Sequence, residues 1–296
     1  SGIVILASIV SLSTKGLQLG IDYSGGRAYV IRFDQPVKAT EVQSSLFKVL
    51  NEVPEVKIYG NNNQVRIVTK YMLEDTSRNV GAIIEKALYD GVKEFYKNPV
   101  SFEDFSTDNP NKVIGIMSSQ NVGPSIAKDI QRSAFISIAI ALLAMFIYIM
   151  IRFKKWQYSL GATVALFHDA FIVIGFFSIF YGILPFNLEI DQNFLAAILT
   201  LIGYSINDTV VIFDRIREYN ILFPKRPLKQ NMNEAINATL SRTINTAGTT
   251  IVVLLAIFLL GSEVIQGFTF AMILGVIIGT YSSIFIASSV AWLIMD

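Results

Sequence analysis

Cysteine is absent from the 296 residues, and histidine occurs once, at position 168. Those gaps remove disulfide scaffolds, thiol chemistry and zinc sites built from cysteines or several histidines, so no metal is expected. Net charge is almost absent as well: 24 Lys and Arg against 23 Asp and Glu leave +1, which points to no nucleic-acid partner. Charged residues make up only 16% of the chain, whereas 52% are hydrophobic and the mean hydropathy is +0.51. Those values exclude an ordinary soluble domain.

The apolar residues gather into five runs of membrane length, Ser133–Ile151, Tyr158–Gly182, Phe194–Phe213, Thr243–Gly261 and Phe268–Met295. Residues 1–13, SGIVILASIVSLS, are apolar but shorter than the ~20 residues a span requires. They lack the basic start and the A-x-A site of a signal peptide, so they are expected to be a sixth helix whose beginning precedes Ser1. Lys and Arg cluster in 152–157 and 214–242, while 182–193 and 261–267 carry acids only (Glu189, Asp191 and Glu263). Basic connections stay in the cytoplasm, which places both ends of the chain inside the cell and residues 14–129 outside. The expected organisation is thus 1–13 first helix, 14–129 external domain, and 130–296 a five-helix bundle.

Within the external domain, Arg27–Phe33, Glu55–Tyr59, Gln64–Thr69 and Val113–Ser118 read as strands, with a hairpin turn at Gly60–Asn63. Ala39–Leu50 and Thr76–Tyr96 read as helices, the first with Val42, Leu46 and Leu50 on one face and Thr40 as its cap. The order β-α-β-β-α-β predicts a ferredoxin-like α+β domain. Gly25-Gly26 fits neither common phosphate-loop spacing and reads as a backbone turn. Residues 98–111 read as a solvated loop. No catalytic set is visible here, and the domain reads as a binding or docking module.

The membrane runs hold the chemistry. In LIGYSINDTVVIFDRIR (201–217), Asp208 lies about 9 Å deeper than the interfacial Asp214 at ~1.5 Å per residue. A carboxylate at that depth costs at least ~2.5 kcal/mol on insertion scales and calls for a partner or a task. Spacings of seven give two polar stripes, Thr200, Asn207, Asp214 and Leu201, Asp208, Arg215. Arg242 shares a helix face with Thr239, Thr246, Thr249 and Thr250, and this face is expected to meet the Asp208 stripe. Such a set suits a proton relay of Asp208, Arg242, Asn207 and Thr246; the competing readings are a static ion pair for Asp208 and a snorkelling charge for Arg242. His168-Asp169, mid-depth in its run, is either a second relay step or a packing pair. Gly203-Tyr-Ser205 beside a membrane histidine raises a serine protease, but no oxyanion loop accompanies it. Gly275, Gly279 and Ser283 form a small-residue face for close helix packing.

Several of these stretches together resemble the SecF family. They are Gly20-Ile-Asp-Tyr-Ser-Gly-Gly26, Val122-Gly-Pro124, Phe167-His-Asp169, the block from Gly203 to Arg217, Ser241-Arg-Thr243 with Thr249-Thr250, and Gly279-Thr-Tyr-Ser-Ser-Ile284. The likeness runs the whole chain in order. It implies a six-helix half of a resistance-nodulation-division (RND) type transporter in the bacterial inner membrane, not an enzyme and without cofactor, the proton being the coupling ion. It implies as partners a SecD-like half, the SecYEG channel, a YajC-like accessory subunit and an unfolded preprotein, with Asp208 as the relay carboxylate and Arg242 as its cation. The start inside a helix fits a piece of a SecD–SecF fusion. A non-conducting scaffold and a small-molecule or lipid exporter of the same superfamily are the alternatives.

Overall fold

The computed structural model describes residues 1–75, 77, 79–106, 113–184, 186–262 and 265–295. Most of the end of the expected loop 98–111, Thr76 and Glu263 lie outside these residues. The chain forms two compact units, one of Leu19–Arg132 and one of Ser1–Gln18 with Ser133–Asp296.

In the smaller unit, a single-turn helix α2 (Ile21–Ser24) leads through Gly25 and Gly26, both at positive φ, into strand β1 (Gly26–Arg32). A side chain at Gly26 would press on Ile21 and on the Thr69 carbonyl, so the pair serves as a turn and a close backbone approach. Helix α3 (Ala39–Leu50), strands β2 (Glu55–Tyr59) and β3 (Asn61–Thr69), helix α4 (Val80–Val92), a short helix α5 (Phe102–Phe105) and strand β4 (Gly115–Val122) follow. The sheet is antiparallel in the order β2-β3-β1-β4. Tyr29, Ile31 and Phe33 meet Val42, Leu46 and Leu50 of α3 and Ile84, Leu88 and Val92 of α4 in one core. At roughly 1.5–3 kcal/mol for each large apolar side chain buried, that core is what makes the unit cohere.

Three expectations change in detail. The hairpin needs only Gly60, at φ +81, because Asn61–Asn63 already belong to β3 and the pairing shifts between Ile58, opposite Val65, and Tyr59, opposite Asn61. Thr40 is not the cap of α3: the cap position is Lys38, and no side chain bonds the helix start there. The last strand begins two residues later than Val113 and runs to Val122.

In the larger unit, α1 (Gly2–Thr14) packs on α7 (Trp156–Phe180), where Ser8 lies over Gly175 and Ser11 Oγ meets Ser178 Oγ at 2.8 Å. The helices α6 (Pro124–Phe153), α7, α8 (Gln192–Leu222), α9 (Leu228–Leu260) and the run Gln266–Met295 are each long and apolar enough to cross a membrane. The last run is α10 (Gln266–Ser282), a π-helical turn (Ser283–Ala287) and α11 (Ser288–Met295). Residues 214–242 are not an extended loop: α8 continues to Leu222 and α9 begins at Leu228. At 31 and 33 residues these helices exceed the ~20 needed to cross hydrocarbon, so their charged turns extend past the apolar stretch as helix. Helix α8 lies closest to α10, where a side chain at Gly275 would strike Leu201 and one at Gly279 would press on Ser205. Small residues that let two backbones approach are the usual means of joining helices in lipid.

Candidate functional site

Helix α8 starts at Asp191, whose side chain accepts from the Phe194 amide at 2.8 Å, an N-cap contributing about 1 kcal/mol. From there Phe194, Ala197, Ile198, Leu201 and Ile202 form the buried stripe of an amphipathic helix. The same stripe then carries Ser205, Asp208 and Thr209 inward, so the polar residues inherit positions that the apolar ones set up. Asp208 is 3% exposed, and among the described residues its Oδ2 has no hydrogen-bond partner. A buried acceptor left unpaired costs about 1–3 kcal/mol, and an ionised one more. This is a side chain held against its solvation preference.

Arg242 on α9 is close enough for its charge to act on Asp208. It is nevertheless exposed, and among the described residues it forms no ion pair. It lines an open cavity of about 690 Å³ between the charged ends of α8 and α9, with Asp214, Arg215, Arg217, Glu218 and Thr239, joined by Arg152 of α6. There Asp214 takes Arg152 at 2.7 Å and Arg217 at 3.2 Å, and Glu218 takes Arg215 at 2.7 Å. Arg242 is thus a cation on the wall of a charged vestibule rather than a direct partner of the buried acid.

The other expected members divide. Asn207 is exposed, on the side of α8 away from Asp208. The Thr246 hydroxyl donates back to its own helix, at 2.7 Å to the Arg242 carbonyl and 3.1 Å to that of Thr243. What joins α8 to the threonine face is Tyr204, whose hydroxyl lies 3.2 Å from Thr250 Oγ1 and 3.3 Å from the Thr246 carbonyl.

A second polar centre lies on α7. Asp169 has no accessible surface, and its Oδ2 accepts from Ser205 Oγ of α8 at 2.8 Å and from Ser282 Oγ of α10 at 2.7 Å. His168 Nδ1 lies 3.1 Å from Asp169 Oδ1, while Nε2 is buried without a partner. Beside this set, Ser283 Oγ meets Thr209 Oγ1 at 2.9 Å and donates to the Gly279 carbonyl at 2.8 Å. The sequence singles out His168, Asp169, Gly279 and Ser283 but not Ser205, Ser282 or Thr209 as members of one cluster. The only local signal was a run of small hydroxyl residues beside the glycine face. Ser205 bonds the Asp169 carboxylate and not the His168 imidazole, so the serine–histidine pair that a protease of the expected kind needs is not formed here. Among the described residues no three of His, Cys, Asp and Glu stand together as a ligand set for a metal ion.

Residues 103–296 match the family described as protein export membrane protein SecD/SecF, C-terminal, and residues 10–37 match the SecD/SecF GG motif. A protein translocase subunit SecF from Rhodothermus marinus is 45% identical over 291 residues, covering 98% of this chain and 87% of the relative. One from Thermodesulfovibrio yellowstonii is 38% identical over 289 residues, covering 97% and 87%. The crystal structure of SecDF, a translocon-associated membrane protein from Thermus thermophilus, superposes with a TM-score of 0.80 at 27% identity, covering 99% of this chain. This chain spans 36% of that SecDF chain.

Proposed function

The chain belongs to the SecF family of protein-export membrane proteins, protein translocase subunits, and from that membership we propose that it couples the proton motive force to late-stage export of preproteins across the bacterial inner membrane. In this reading Gly2–Thr14 belongs to a sixth spanning helix, both termini are cytoplasmic, and the sheet-containing unit is a ferredoxin-like domain outside. A SecD-like half completes the proton path, the SecYEG channel delivers the client, and a YajC-like subunit joins the assembly. The unfolded preprotein is what the external domain handles.

The observation that carries the reading is Asp208, buried to 3% in the middle of a spanning helix with one carboxylate oxygen unpaired. A static ion pair would hold a cation within about 4 Å of the carboxylate, and among the described residues none stands there. An acid with an open lone pair can instead take up a proton and lose its charge. Arg242, a cation on the wall of the vestibule, stands on the basic side of that acid. One elementary charge moving through ~100 mV releases about 2.3 kcal/mol, enough to bias a helix bundle with two arrangements. His168 and Asp169 form the secondary centre of the same path.

The test compares wild type with Asp208→Asn in the complete complex, in inverted vesicles, reading the part of preprotein translocation that depends on the proton motive force. Loss of that part with normal assembly is the expected result. Full stimulation by the variant would discard proton coupling through Asp208 and leave a scaffold.

A further inference from the structure

Asp208 sits in a stretch of α8 that is tied on either side to a pair of serines at the end of α10, to Ser283 directly and to Ser282 through Asp169. Three residues before it, Ser205 donates to Asp169 Oδ2, the atom that also accepts from Ser282. One residue after it, Thr209 meets Ser283 at 2.9 Å, and Ser283 reaches back to the Ser205 carbonyl at 3.3 Å. Ser282 and Ser283 are adjacent, and adjacent residues on an α-helix point about 100° apart. Here both turn toward α7 and α8, at the point where α10 passes into the π-helical turn Ser283–Ala287. The Ser283 carbonyl at the head of that turn is taken by the Ser288 hydroxyl at 3.2 Å. Turns of this kind are uncommon in helices and occur most often at functional sites.

We propose that Asp169 is a positioning residue for Asp208: by drawing Ser205 and Ser282 onto one oxygen it fixes the rotation and depth of the α8 segment that carries the relay acid. The inference rests on the reading of Asp208 as the relay carboxylate. In this role Asp169 acts through its two serine bonds, which set where Asp208 stands relative to the Arg242 vestibule. Losing the two serine bonds unties α8 from α7 and leaves the Ser283 bonds to Thr209 and to the Ser205 carbonyl as the polar hold on that segment. The titratable and charged groups on the elements packed against this segment are His168 and Asp169 on α7, Arg242 on α9 and Tyr281 on α10.

The test is the pH profile of carbodiimide modification at Asp208, read by mass spectrometry in the full complex with its SecD-like half in membranes. The reagent consumes protonated buried carboxyls, so the midpoint reports the surroundings of Asp208 without any measurement of export. Ser205→Ala combined with Ser282→Ala is expected to move that midpoint by about half a pH unit or more, roughly a threefold change in proton affinity. Asp169→Asn, which keeps the shape and one acceptor, is expected to move it less. If the double variant does not assemble, Ser282→Ala alone is read, with a smaller shift expected. An unmoved midpoint in assembled variants overturns the proposal, whatever happens to thermal stability, because a merely structural bond lowers stability without retuning Asp208. Should Asp208→Asn leave export intact, the coupling reading falls, while the labelling midpoint still reports on positioning.

Discussion

Ser205 and Ser282 stand on different helices and donate to the same atom, Asp169 Oδ2, at 2.8 and 2.7 Å. One oxygen with two short donor bonds is saturated; Ser282 has a second acceptor in the Gly279 carbonyl at 3.2 Å. The cost of removing the acceptor is therefore set by what it abandons.

Asp169→Leu should destabilise the protein clearly more than Asp169→Asn. Leucine leaves the Ser205 hydroxyl and the His168 Nδ1 without their partner and Ser282 with only the Gly279 carbonyl, at about 1–3 kcal/mol for each orphaned group by soluble-protein values and nearer 0.6 kcal/mol by membrane double-mutant cycles. Asparagine keeps an acceptor and stays within about 1 kcal/mol of wild type on the same scale. Thermal unfolding of the purified complex distinguishes the two. Equal losses would mean that the serine bonds contribute nothing beyond side-chain volume.

Helix α1 is fixed to α7 by a contact that leaves no room. A methyl at Gly175 would fall 2.0 Å from Ser8 Oγ and 2.3 Å from its Cβ. Gly175→Ala should cost about 1–3 kcal/mol by overpacking. Adding Ser8→Gly should recover most of that, since it removes both offending atoms. A double variant no better than the single one would show that α1 does not dock where the structure has it.

In the smaller unit, the Asp34 carboxylate accepts from the backbone of Lys97 at 2.8 Å and of Asn98 at 3.0 Å. Slight desolvation pushes this carboxyl up, but the amide bonds outweigh it and hold it below the usual carboxylate range. The contribution is therefore complete above the unfolded value of ~3.9 and disappears as pH falls through the lower folded value. Hydrogen exchange at Lys97 and Asn98, corrected for intrinsic rate, should show protection that is lost below about pH 4. Asp34→Ala should lack that step. Protection that persists through the acid range, or the same step in the alanine variant, would contradict this account.

Much of the architecture could be read from local pattern. Val42, Leu46 and Leu50, spaced by four, are all within 2% of full burial, as amphipathic periodicity requires. The spanning helices followed from apolar length alone. The spacing of seven was less decisive, because it marks two stripes equally well. The structure buries Leu201 and Asp208 and exposes Thr200 and Asn207, a choice made by α10, whose Gly275 takes in Leu201. At the Asp169 centre the sequence marks His168-Asp169 and the small hydroxyl run beside the glycine face, but not which hydroxyls converge on the carboxylate. Its two serine bonds span 36 and 113 residues of sequence, and the adjacency of Ser282 and Ser283 argues against both facing inward on a regular helix. Long-range convergence and a helix irregularity are both tertiary facts.

The π-helical turn has a consequence for everything after it. An α-helix advances about 100° per residue, so one surplus residue twists the following segment about the common axis by nearly that angle. Beyond Ala287, this offset decides which side of α11 meets α7. It brings Ala291 to within ordinary contact of Gly161, where an added methyl would lie 3.2 Å from the Ala291 Cβ and 2.6 Å from the Ala287 carbonyl. Excising Phe285 would leave hydropathy and length almost untouched, yet turn a different flank of α11 toward that glycine. The final helix is thus keyed like a screw started one thread late, its seat chosen by phase and not by composition.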